Sequence, residues 1–155
     1  MRAGWILALF GGLGAAFPVG CSAQGRAALG VGLVAVGSDP AAVGLLGRVR
    51  WHLAREVGLT TGAGLARAGG TWAGRGELAL QFRFVTPAIP GAKPVWYAMG
   101  GLALVSGPRR AGWLMAGVGA EWPAGRSGSW WTEAGVAGGV RVAAGYQFGV
   151  GGRKR

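Results

Sequence analysis

"VGLLGRVRWHL", residues 43–53, sets Arg48, Arg50 and His52 at every second position of an otherwise apolar run. A period of two belongs to a β-strand, whose successive side chains point to opposite faces. Val43, Leu45, Val49, Trp51 and Leu53 therefore share one face, and Arg48, Arg50 and His52 share the other. Which of these faces meets water decides the fold. A soluble sheet with one solvated face would show the same alternation, so the answer has to come from the rest of the chain.

The chain has 155 residues, enough for one domain and too few for two. It contains 34 Gly and 8 Trp, and 51% of it is apolar against 14% charged. Such apolar and aromatic content excludes a disordered chain despite the glycine. A formal charge of +11 would by itself suggest nucleic acid or an anionic surface, and the N-terminus separates these. Residues 1–4 carry one charge, Arg2, residues 5–17 are uncharged and apolar, Pro18 ends the run, and "CSAQ" (21–24) supplies small residues. That order is the order of a secretory signal peptide, and the run is shorter than the roughly 20 residues of a membrane-spanning helix. We expect a signal peptide over 1–23, cleaved after Ala23. The rival is lipoprotein processing at Cys21, because "VGC" (19–21) is similar to the end of a lipobox, although Pro18 stands where that motif carries Leu. Export sets aside a nucleic-acid partner. Cleavage after Ala23 leaves no cysteine, hence no disulfide framework and no cysteine-based metal site.

Beyond residue 25, eight apolar runs are separated by Gly, Pro, Ser and Asp: 26–37, 43–54, 57–68, 76–85, 95–105, 111–122, 129–137 and 140–148. Their lengths match the roughly 9–11 residues of a transmembrane strand. Helices fit poorly, since glycine at every second or third position costs about 1 kcal/mol each relative to alanine, and "PRR" and Pro123 cut the most apolar stretches.

The large apolar residues identify the face that meets lipid. In 76–85, Leu78, Leu80, Phe82 and Phe84 alternate with Glu77, Ala79, Gln81 and Arg83. In 111–122, Leu114, Ala116, Val118 and Trp122 alternate with Gly117, Gly119 and Glu121, and in 140–148, Val140, Val142, Tyr146 and Phe148 alternate with Arg141, Gly145 and Gln147. The polar phase thus holds glycine, alanine and a few long charged residues, while the large residues gather on the other phase. In 95–105 both phases are bulky, Tyr97 and Met99 competing with Trp96 and Leu102. An eight-stranded barrel has an interior just wide enough for side chains, and inward glycines such as Gly30, Gly32, Gly58, Gly62 and Gly64 leave room for arginines that reach across it. The fold expected is all-β, an eight-stranded antiparallel up-and-down transmembrane barrel over residues 24–148, with a basic tail at 149–155. Its interior polar network comprises Arg48, Arg50, His52, Glu77, Gln81, Arg83, Glu121, Glu133, Arg141 and Gln147. Its outer face meets lipid.

The aromatics bear on the same reading. If the first strand starts in the periplasm, Trp51, Phe84, Trp96, Trp122, Trp130 and Phe148 all fall at the periplasmic rim and on the outward phase, as an interfacial girdle should. Arg67, Arg75, Arg109 and Arg110 fall at the opposite, extracellular end and are candidate contacts for anionic lipid phosphates. The connections at that end, "SDPAA", "GGTWAGR", "SGPRR" and "GG", are short, which argues against an adhesin or receptor role of the kind carried on long loops.

The last third, "GVGAEWP" (117–123), "WWTEAGV" (130–136) and "VAAGYQF" (142–148), resembles the closing strands of the small outer-membrane β-barrel domains of OmpA/OmpX type. The resemblance implies that Glu121 and Glu133 are interior acids. It also implies that Tyr146 and Phe148 belong to a C-terminal signal read by the barrel-assembly machinery. The chain departs from the family in continuing with "GVGGRKR" past the final aromatic.

No catalytic constellation is legible. His52 is the single histidine and Asp39 the single aspartate, placed by this reading at opposite ends of the second strand, and a lone histidine cannot build a metal site. The expectation is a non-catalytic outer-membrane protein without cofactor, its interior plugged, with outer-membrane lipids as partners. A small channel and a lipid-modifying envelope enzyme are the competing readings.

Overall fold

Alternation at a period of two, punctuated by Gly, Pro and Asp, becomes eight strands in the computed structural model, which describes residues 27–84, 94–107, 110–124 and 128–150. The strands are β1 (Ala27–Gly37), β2 (Ala42–His52), β3 (Val57–Ala68), β4 (Thr71–Phe84), β5 (Val95–Ser106), β6 (Ala111–Ala124), β7 (Gly128–Val136) and β8 (Val140–Val150). Each pairs antiparallel with the next, and β8 returns to pair with β1, so the barrel is closed. Closure satisfies the strand-edge backbone groups, the condition for any sheet placed in lipid. The expected signal peptide, Cys21, most of the connector 86–94 and residues 151–155 lie outside the described residues. Strand β8 runs two residues past the expected boundary at 148, with Gly149 opposite Ala28.

The connections after β1, β3, β5 and β7 share one end of the barrel, called here the loop end. The first residue of β1, the last of β8 and the connections after β2, β4 and β6 share the other, the terminal end. The tightest connection, Gly69–Gly70 between β3 and β4, has both residues at positive φ (54° and 85°), as a two-residue primed hairpin turn requires. This corrects the expectation of a longer loop over 69–75, because β4 begins at Thr71.

The register carries the alternation around the barrel without a change of phase. Even-numbered positions face inward on β1–β3 and odd-numbered ones on β4–β8, as the buried residues Val34, Leu46, Ala66, Gln81, Met115, Glu133 and Arg141 demonstrate. The opposite phase is greasy and uncovered: Leu45 is 61% exposed and Leu114 81%, with Leu33, Phe82, Leu102, Val118 and Val142 about half exposed or more. Exposing such residues to water costs roughly 1.5–3 kcal/mol each relative to burial, and a continuous apolar band of this kind is a surface for contact with lipid or protein. The doubtful β5 resolves with Tyr97 and Met99 inward and Trp96 and Leu102 outward.

Candidate functional site

The barrel's lumen collects every member of the expected polar network on the inward phase. Arg48 donates to Glu133 Oε1 at 2.8 Å, and Arg141 reaches the second oxygen of Glu133 at 3.0 Å. Arg141 also holds Glu77 through two hydrogen bonds, from Nε at 3.0 Å and from Nη2 at 2.7 Å. The Tyr97 hydroxyl donates to Glu133 Oε1 at 2.8 Å. Nearer the terminal end, Glu121 accepts from Arg50 at 2.5 Å, Arg83 at 3.2 Å, Ser129 Oγ at 2.7 Å and Gln147 at 2.5 Å. Gln81 is buried in the β4 wall. His52 ends β2 opposite Gly58 and is half-buried. Asp39 lies in the connection at the loop end, so the two residues do sit at opposite ends of the barrel.

Arg75 was expected at the rim as a lipid contact, and here the structure corrects the sequence reading. It is 6% exposed and donates from Nε to Glu77 Oε1 at 2.7 Å, inside the barrel. The reason is the Gly69–Gly70 turn: with β4 starting at Thr71, Arg75 shares the inward phase of Glu77, Ala79 and Gln81. Of the other rim candidates, Arg67 is exposed on β3, where it pairs in register with the exposed Trp72, and Arg110 is exposed just ahead of β6. Arg109 lies outside the described residues.

Moving Arg75 inward changes the charge balance. Among the described residues the lumen holds five guanidiniums, Arg48, Arg50, Arg75, Arg83 and Arg141, against three carboxylates, Glu77, Glu121 and Glu133. Each carboxylate is shared. One chain of ion pairs runs Arg75–Glu77–Arg141–Glu133–Arg48, the other Arg50–Glu121–Arg83, and both begin and end on arginine. Guanidiniums suit this sharing, since each presents five donors in a planar fork.

The lumen is also more apolar than the alternation implied. Tyr97 and Met99, on the strand whose phase the alternation leaves open, are buried inside, and so are Leu46, Met115 and Trp131. One apolar cluster joins Ala79, Tyr97, Met99, Ala103, Met115 and Ala137. A second joins Val34, Val36, Leu46, Trp131 and Ala143. Trp131 fits because β1 and β8 offer glycine where its ring lies: a Cβ on Gly32 or Gly145 would come within 2.6 Å of the ring. Its upper surface carries the Arg48 guanidinium, 4.1 Å from the ring centroid, a cation–π contact that strengthens where water is excluded. Tyr97 similarly lies against Gly119 and beneath Arg50. The space left between Leu46, Arg48, Thr60, Glu77, Met99 and Glu133 is a cavity of about 10 Å³, room for about one water.

The six aromatics expected to form a girdle lie toward the terminal end. Phe84 pairs with Trp96 and Trp122 with Trp130 across neighbouring strands, while Trp51 and Phe148 lie near the ends of β2 and β8. Trp130, Tyr146 and Phe148 stack edge to face, with centroids 5.0 and 4.7 Å apart, the geometry ring quadrupoles prefer.

No family model and no curated protein matches the chain. Among solved structures, a designed transmembrane β-barrel aligns with a TM-score of 0.66 at 16% identity, over 81% of this chain and 96% of that one. The N-terminal β-barrel domain of Pseudomonas aeruginosa OprF aligns with a TM-score of 0.58 at 17% identity, over 82% and 100%. The designed barrel TMB2.3 gives 0.57 at 17%, over 83% and 98%. At these identities the likeness is one of fold: a closed, eight-stranded, all-antiparallel barrel of transmembrane type.

Proposed function

We propose that this is an exported outer-membrane protein whose barrel is plugged by its own side chains and serves a structural, lipid-contacting role without catalysis. The observation that carries this reading is the pairing of an outward apolar band with a lumen crossed by ion pairs. The chain Arg75–Glu77–Arg141–Glu133–Arg48 links β4, β8, β7 and β2, and the rings of Tyr97 and Trp131 fill the space beside it. Ions can pass only by displacing charge-assisted hydrogen bonds in a lumen with little free volume. At the loop end, Arg67 beside Trp72 joins a phosphate-binding cation to an interfacial aromatic, a combination that supports contact with anionic lipid. At the terminal end, the Trp130–Tyr146–Phe148 stack on the closing strands is the surface proposed to meet the assembly machinery.

Planar-bilayer recording tests the plug. The wild-type protein is expected to show no steady conductance at neutral pH. Replacing Arg48 and Arg50 together by alanine should raise leakage, because both side chains cross the lumen. Stability should fall as well, because two buried side chains leave their space empty, although Glu133 keeps Arg141 and Glu121 keeps Arg83. Stable, uniform single-channel steps from the wild type would overturn the plug and favour a small channel.

A further inference from the structure

The register fixes how the outward surface sits relative to the barrel axis. Ala27 of β1 stands opposite Trp51 of β2, and the line of partners followed strand by strand returns to β1 at Gly37, ten residues nearer the loop end. This stagger is the shear of a closed sheet, so the line climbs steadily around the barrel. The six outward aromatics descend from it in step with the climb. Trp51 lies on the line, Phe84 and Trp96 four residues below it, Trp122 and Trp130 six, and Phe148 eight. Climb and descent cancel, and all six sit within about two residues of one level. At roughly 3.3 Å per residue and a strand tilt of about 40°, the spread along the axis is roughly 4 Å.

The other boundary of the greasy surface is polar. Arg67 lies eight residues above the same line on β3, Trp72 eight above it on β4 and Ser106 six above it on β5. By the same rise and tilt they stand roughly 25 Å above the aromatic level. Between the two levels no described residue places a charge on the outward phase.

We infer that this surface fits a thin bilayer, with hydrocarbon about 25 Å thick rather than the typical 30 Å or so, and that the barrel stands upright in it. The inference rests on the outer-membrane reading and adds the class of lipid, one with short acyl chains. A protein partner would cover one sector of the wall, whereas the aromatic level runs through six of the eight strands. Rings at a single level meet one headgroup boundary together, and tilting the barrel would push some into hydrocarbon and others into water. A thicker core would draw Arg67 and Ser106 into hydrocarbon, and a thinner one would expose leucines and valines to water.

The test is unfolding in vesicles of graded thickness. The refolded full chain is inserted into fluid didecanoyl, dimyristoyl and dierucoyl phosphatidylcholine, whose shared headgroup holds the interfacial charge constant. Urea titration is followed by the migration shift between folded and boiled protein. The urea midpoint should be highest in the dimyristoyl vesicles. At that urea concentration the folded-to-unfolded ratio should be about tenfold lower or more in either of the others. A midpoint that is equal across the series, or that rises or falls steadily with chain length, would overturn the inference and leave the outer-membrane reading standing. Failure to reach the heat-modifiable form in any of the vesicles would overturn both.

Discussion

Glu133→Leu is expected to lower the unfolding free energy of the refolded barrel by roughly 3–5 kcal/mol, the size seen when one member of a buried ion pair is removed. Glu133 is 3% exposed and accepts from Arg48, Arg141 and Tyr97. Its loss falls unequally on the three. Arg141 keeps Glu77, whereas Arg48 retains only the face of Trp131 and becomes a buried cation without a counter-charge. Urea titration in detergent, followed by the migration shift between folded and boiled protein, measures the change. Adding Arg48→Met to Glu133→Leu should recover a large part of the loss, because the unpaired charge leaves with it. A single variant that unfolds at the wild-type midpoint would show that Glu133 does not lie in a dry interior.

Trp131→Ala should be comparably damaging, by roughly 3–5 kcal/mol, as for other large aromatics removed from packed interiors. The neighbours cannot collapse into the gap. Gly32 and Gly145 flank the ring with no side chain to offer, and closed ladders on both sides hold their backbones. The ring also supports the Arg48 guanidinium from below. The variant should therefore leak in bilayers as well as unfold earlier, whereas Trp131→Phe should keep most of both properties by filling most of the space. Urea midpoints and bilayer leakage measured on the two variants together decide this. Equal midpoints for Trp131→Ala and wild type would place the ring outside the packed lumen.

Much of this architecture is legible in the sequence, for a physical reason. Lipid outside and a narrow charged interior impose opposite demands on alternate residues, so the period of two is strong wherever the phases differ in character. Leu78, Leu80 and Phe82 against Glu77, Gln81 and Arg83 leave no doubt of phase, and the structure places them accordingly. The signal fails where both phases are bulky. Trp130 and Trp131 are adjacent and identical, so hydrophobicity alone cannot separate them; the interior Glu133, two residues beyond Trp131, sets the phase that turns Trp130 outward and buries Trp131 beneath Arg48. Ser129 is a small polar residue at a strand start and carries no signal of its own, although it lies two residues from Trp131 on the same phase and donates to Glu121. Arg75 is hidden for a different reason. Gly70, Gly74 and Gly76 make "GGTWAGRG" look like a loop, whereas the adjacent pair Gly69–Gly70 is a hairpin signal that ends the turn at residue 70. Extending the odd phase of β4 back to that turn would have brought Arg75 inside. The apolar lumen residues Met99 and Met115 follow the same odd phase as Tyr97 and Glu121. What hides them is the assumption that a polar interior is polar throughout.

The central claim is that the greasy phase faces lipid and the charged phase faces a closed lumen. Nitroxide labels placed singly by cysteine substitution along residues 78–82 of β4, in protein refolded into phospholipid vesicles, test it most directly. Collision with oxygen, which concentrates in lipid, should be frequent at positions 78, 80 and 82. Positions 79 and 81 should be shielded both from oxygen and from a water-soluble nickel reagent. Access of the nickel reagent at 78, 80 and 82, or an oxygen profile without a period of two, would contradict the account.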